Sequence, residues 1–239
     1  MIPLRKALSS SVGKKFIMAF SGLCLGGFIV VHLLGNLALY RADGAAFNLY
    51  AATLESFGKF IIAAELGLIA LFLLHAISAM LLKLNHWGAR PERYSVVKSK
   101  GGESKSTLAS RNMIISGGVI FAFVILHVWS FKYGPGITEG YTAAGGAHGE
   151  IRDLHRLVVE SFHNPLIVSA YVFVMLLLGG HLWHAFWSGL QSFGLTNPRY
   201  TKGLYCLGSM FAVVLSVGFL MIPIWIFFDL STVLLGAIK

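Results

Sequence analysis

Five stretches of this chain run for about twenty residues or more with almost no charge, at roughly 16–40, 60–84, 112–132, 165–190 and 204–228. A helix of ~20 residues is ~30 Å long, the thickness of a bilayer's hydrocarbon core. Backbone groups find no water there, so each run has to satisfy its own hydrogen bonds as a helix. Glycines recur inside the runs, at Gly22, Gly26, Gly27, Gly67, Gly117, Gly118, Gly179 and Gly180. In a membrane bundle they let backbones, or a flat cofactor, come close. Only 12% of residues are charged, about half of what a soluble domain carries. The expected fold is an all-α integral membrane protein, residues 1–239 forming one transmembrane domain of five helices.

The net charge of +9 does not point to nucleic acid, because the cations sit in short loops beside the runs, where they set topology. Thirteen of the nineteen Lys and Arg fall on one side: Arg5 to Lys15, Lys83 to Arg111, and Arg199 with Lys202. The remaining six, Arg41, Lys59, Lys132, Arg152, Arg156 and Lys239, fall on the other. The positive-inside rule then puts the N-terminus in the cytoplasm and the C-terminus outside. The first run is too long, and lacks the small-residue site, for a cleaved signal. Cys24 and Cys206 both lie in apolar runs, so core thiols are expected rather than a disulfide framework.

Two loops have character. Residues 85–110 are basic and rich in Ser and Gly, and Arg90, Arg93 and Lys98 are candidates for contact with a cytoplasmic partner. Residues 133–163 lie outside and pass through YGPG and TAAGGAHG. There Ile151, Leu154, Leu157, Val158 and Phe162 share a helical face, which predicts a short amphipathic helix over about 150–162. No motif for nucleotide binding or nucleophilic catalysis is present.

Histidine is costly in hydrocarbon and needs a partner or a role there. His86, His148, His155 and His163 fall in loops or interfacial segments, where a solvated histidine is the plain reading. His32, His75, His127, His181 and His184 lie inside the runs, on four successive helices. Depth sorts them. His32 lies ~25 Å from the inner end of its helix and His127 ~24 Å from the inner end of the third. His75 lies ~24 Å, and His181 ~26 Å, from the outer ends of helices that run inward. Four histidines therefore form two pairs, one in each half of the bilayer. His184 shares a face with His181, and depth does not separate them.

Two imidazoles facing each other suit bis-histidine haem. Zinc wants three or four protein ligands, and neither pair has a carboxylate or cysteine beside it. A proton relay or proton-coupled transporter would use more acidic residues within the runs than Glu65 alone. Helices one to four thus become a bundle around two haems b, with haem iron held by His75 and His181 (or His184) on the cytoplasmic side and by His32 and His127 on the outer side. A cytochrome b with two histidines about four turns apart on one helix is disfavoured, because that spacing is absent.

The segment Ser11-Val12-Gly13-Lys14-Lys15, followed by Met18-Ala19, Ser21-Gly22-Leu23 and His32-Leu33-Leu34-Gly35-Asn36-Leu37, resembles the start of the membrane anchor of succinate dehydrogenases and fumarate reductases. The whole chain is similar to their single-subunit, five-helix, di-haem cytochrome b type. The resemblance implies a bacterial cytoplasmic membrane, electron transport in succinate:quinone oxidoreductase, and no succinate site in this chain. It implies a flavoprotein with FAD and an iron–sulfur subunit as partners on the cytoplasmic side, and quinone, menaquinone in many relatives, as the membrane substrate. In the family, helices two and four hold the inner haem and helices one and three the outer. Matching the family's helix-four histidine, six residues before Trp or Tyr, sets His181 with Trp187 and favours it over His184. Some relatives carry a proton-moving glutamate two residues earlier, where this chain has Gly179.

Glu65 is the one carboxylate well inside a run, at the level of the outer pair. It is a candidate for proton exchange with a quinone headgroup, as relatives react with quinone near the outer haem and some use a glutamate on this side. The other reading is a hydrogen bond to a neighbouring helix or a haem propionate. The alternative quinone end lies near His86 and Trp87. The haem subunit of a hydrogenase or formate dehydrogenase is a second redox reading, although helix count and histidine distribution usually differ there.

Overall fold

The computed structural model describes residues 3–41, 43–89, 108–145, 149–195, 197 and 199–230. All five apolar runs are helices: α2 (Ser11–Asn36), α4 (Lys59–Gly88), α6 (Met113–Phe131), α8 (Pro165–Ser192) and α9 (Thr201–Phe227). Each is long and apolar enough to cross a membrane, and the chain is an all-α, multi-pass membrane protein. Short helices α1 (Leu4–Ser9), α3 (Ala45–Ser56), α5 (Leu108–Arg111) and α7 (Leu154–Phe162) join them, with a small hairpin, β1 (Thr142–Ala144) and β2 (Glu150–Arg152).

Local chemistry sets the helix starts. Ser10 Oγ accepts the Gly13 N–H at 3.0 Å, an N-cap bond that fixes the start of α2. Asn164 Oδ1 accepts the Leu166 N–H at 2.9 Å, and Pro165, which has no N–H to leave unpaired, takes the first position of α8. The helices show large apolar side chains outward, among them Phe60, Leu66, Ile115, Leu126 and Leu166. Lipid, as apolar as these side chains, is the medium such a surface requires.

The chain forms two compact units, whose boundaries fall inside the long helices. The first is drawn from Met1–Phe28, Gly67–Phe121 and Leu178–Val213. It is held by ring contacts: Trp187 stacks on Tyr205 at 3.9 Å, Phe186 meets Phe211, and Phe16 meets Phe193 edge-on. The second is drawn from Ile29–Leu66, Ala122–Leu177 and Val214–Lys239. Here Ser216 Oγ donates to the Met175 carbonyl at 2.8 Å, joining α9 to α8.

The second unit also contains a cap outside the spans. After a 3₁₀ turn (Leu37–Tyr40), Gly44 turns the chain with φ 64°. A Cβ there would lie 2.6 Å from the His155 ring, so glycine is required twice over, by conformation and by space. Asn48 of α3 is 4% exposed. Its Nδ2 donates to Asp153 Oδ1 and its Oδ1 accepts the His155 N–H, both at 2.8 Å. Asp153 in turn caps α7, accepting the Arg156 N–H.

Several expectations need correction. The amphipathic helix starts at Leu154, not near 150, because Glu150–Arg152 pair with Thr142–Ala144 as a strand and Asp153 supplies the cap. Its apolar face is as expected, with Leu157, Val158 and Phe162 buried. Helix α3 falls in a stretch between spans for which no element is expected. Helix α4 runs on to Gly88, one turn beyond the expected end. Cys206 is exposed rather than in the core, since a membrane helix can turn a thiol to lipid at little cost. Residues 90–107, with Arg90, Arg93 and Lys98, lie outside the described residues, as does His148.

Candidate functional site

The first unit brings His75 of α4 to His181 of α8. Their ring centres are 6.3 Å apart and the planes cross at 68°. His75 Nδ1 lies 3.0 Å from the Met18 carbonyl of α2. A carbonyl only accepts, so Nδ1 carries the proton, and in the neutral ring the lone pair is left on Nε2. His181 Nδ1 lies 3.2 Å from Ser116 Oγ of α6. That hydroxyl also lies 3.2 Å from the Met113 carbonyl: with its one proton turned there it accepts from Nδ1–H, and with the proton turned to the ring it donates to Nδ1. His184, one turn on, is half-buried. The ring that faces His75 is that of His181, and no ring contact joins His184 to His75 among the described residues.

The second unit brings His32 of α2 to His127 of α6, with ring centres 5.9 Å apart and planes at 84°. His127 Nδ1 lies 3.0 Å from the Tyr171 hydroxyl of α8. Tyr171 is itself wedged between Phe123 and Phe162, at 4.8 and 4.9 Å between ring centres. Phe219 of α9 lies 5.8 Å from the His32 ring. Asn36, one turn beyond His32, donates from Nδ2 to the His32 carbonyl at 2.7 Å and lies 3.4 Å from its Nδ1.

Two imidazoles sharing one metal, each nitrogen about 2 Å from it and about 1.1 Å from its own ring centre, would stand about 6.2 Å apart. Both measured separations lie within a few tenths of an ångström of that. Ligating histidines characteristically donate their other ring N–H to a carbonyl or similar acceptor, as His75 does to Met18. Among the described residues no three of His, Cys, Asp and Glu converge on one point, which disfavours a zinc-like set.

Glu65 is not enclosed as expected. It forms an ion pair with Lys132, which follows α6, and its side chain is 38% exposed. Lys132 is held in turn: Arg152 donates to the carbonyls of Lys132, Gly134 and Pro135, pinning the turn after α6. At the end of α4, His86 and Trp87 are exposed, with the Lys83 ammonium 5.1 Å from the Trp87 ring. His163 Nδ1 donates to the Val159 carbonyl of its own turn at 2.7 Å, and His155 packs on Gly44. Sequence reasoning singles out the imidazoles but not the groups that hold them. Their signal was present, as Ser116 and Tyr171 are isolated polar side chains inside apolar runs.

No known protein family, curated protein or solved structure matches the chain.

Proposed function

We propose that this chain is the haem b membrane anchor of a succinate:quinone oxidoreductase. The observation that carries the reading is the pair of histidine pairs, each with ring centres about 6 Å apart and, in the first, both Nδ1 atoms committed elsewhere. His75 and His181 would hold one haem and His32 and His127 the other. Bound haems would supply one-electron transfer between the two halves of the bilayer. The Met18 carbonyl holds the His75 imidazole in the ligating tautomer, and the chain's apolar helices exclude water from the pairs.

In this reading the chain lies in a bacterial cytoplasmic membrane with its N-terminus inside, as the excess of Lys and Arg on that side requires. The flavoprotein, with FAD, and the iron–sulfur subunit dock on the cytoplasmic face, and quinone, menaquinone as the type expected, exchanges electrons within the membrane. Glu65, with Lys132 beside it, is the candidate for proton exchange with the quinone headgroup. The test is purification of the tagged chain from its native membrane. We expect two subunits bearing flavin and iron–sulfur absorbance, and succinate-dependent quinone reduction that Glu65→Gln lowers severalfold while both haems remain. A chain that purifies without such subunits contradicts the proposal.

A further inference from the structure

Helix α2 supplies no imidazole to the His75–His181 pair, yet it touches His75 closely. We infer that Gly22 is a positioning residue for that pair, holding the His75 ring against the Met18 carbonyl. This deepens the proposed function and rests on it only for the identity of what the pair binds.

Met18 and Gly22 are one helical turn apart, so the Gly22 N–H is the regular partner of the Met18 carbonyl. A carbonyl oxygen has two lone pairs and can take a second donor. In a helix, side chains lean back over the preceding turn, so the residue four positions on is the one that would cover this carbonyl. With glycine at 22 the carbonyl is open, and His75 Nδ1 reaches it at 3.0 Å. A Cβ built on Gly22 would lie 2.9 Å from His75 Cε1 and 3.1 Å from Nδ1. Those are the two ring atoms that the hydrogen bond holds in place. An alanine would therefore push the imidazole off the carbonyl and change its approach to His181. The bond also fixes the tautomer that leaves Nε2 as the ligating atom. The neighbouring glycines of α2 are different: a Cβ on Gly26 meets Phe211 at an ordinary 3.6 Å, and one on Gly27 meets nothing within 4 Å.

The test compares Gly22→Ala with Gly27→Ala in the full-length chain, by bound haem per chain, redox titration and the nitrogen chemical shifts of the His75 ring. We expect Gly27→Ala to keep both haems. Gly22→Ala should lose the haem that His75→Ala loses, or bind it 10–100-fold more weakly, while the other keeps its potential. Gly22→Ala with both haems present at unchanged potentials would overturn the inference. Equal loss of both haems would also overturn it, since that marks a general packing role. If the wild-type chain carries no haem, the proposed function fails and the inference is decided by the nitrogen chemical shifts of the His75 ring. A loss of the Nδ1–H tautomer in Gly22→Ala but not in Gly27→Ala would then support it, and unchanged shifts would overturn it.

Discussion

At the scale of residues, the proposed function turns on which imidazoles would share a haem iron. Sequence depth alone pairs His75 with His181 and His32 with His127, and the rings in the structure face each other in the same combination. Depth is legible because a membrane helix has a fixed rise per residue and a fixed thickness to cross. The second-sphere partners are not legible, because whether Met18 O, Ser116 or Tyr171 reaches a ring depends on helix rotation. The ion pair of Glu65 is not legible for a related reason: its partner Lys132 is sixty-seven residues away in sequence and meets it only through folding. The prediction at this scale is a split set of variants. His75→Ala and His181→Ala should each remove one and the same haem, His32→Ala and His127→Ala the other, and His184→Ala neither. Spectra and potentials of the five proteins check this. Loss of a shared haem from His32→Ala and His75→Ala would break the pairing.

At the scale of elements, the spans were legible to within a few residues and the outer cap was not. Long apolar runs have one solution in lipid, whereas Ala45–Ser56 and the β1–β2 hairpin are stabilised by contacts distant in sequence, chiefly Asn48 with Asp153 and His155. The same contacts make the cap sensitive to pH. Burial lowers the His155 pKa below 6.5, outweighing the upward pull of Asp153 and Asp43. The unfolded cap therefore takes up a proton first as pH falls. His155's contribution is complete above about pH 6.5 and is lost progressively as pH falls from there through the lowered folded value. Protection factors in α3 and α7, exchange rates normalised to the intrinsic rate at each pH, should be lower at pH 5.5 than at pH 7.5, and His155→Gln should flatten that difference. Asn48→Ala, which leaves buried groups unpaired, should speed exchange at both pH values, by a local loss of about 1–3 kcal/mol. A cap whose protection falls no further at low pH than that of the His155→Gln protein would contradict the assignment.

At the scale of the whole molecule, five apolar helices make a multi-pass membrane protein, and the two histidine pairs are what the proposed redox role rests on. The fold class follows from the sequence because hydrocarbon leaves the backbone no alternative. The division into two units, each with one pair, emerges only in three dimensions, since each long helix contributes residues to both. The proposed partners and substrate rest on the residue likeness to di-haem anchors alone, and the geometry contributes the paired rings. The most direct measurement is a reduced-minus-oxidised spectrum of the purified full-length chain, with haem counted against protein. The account predicts b-type bands and two haems per chain. A protein purified intact from membranes supplied with haem, yet showing no b-type bands, would contradict it.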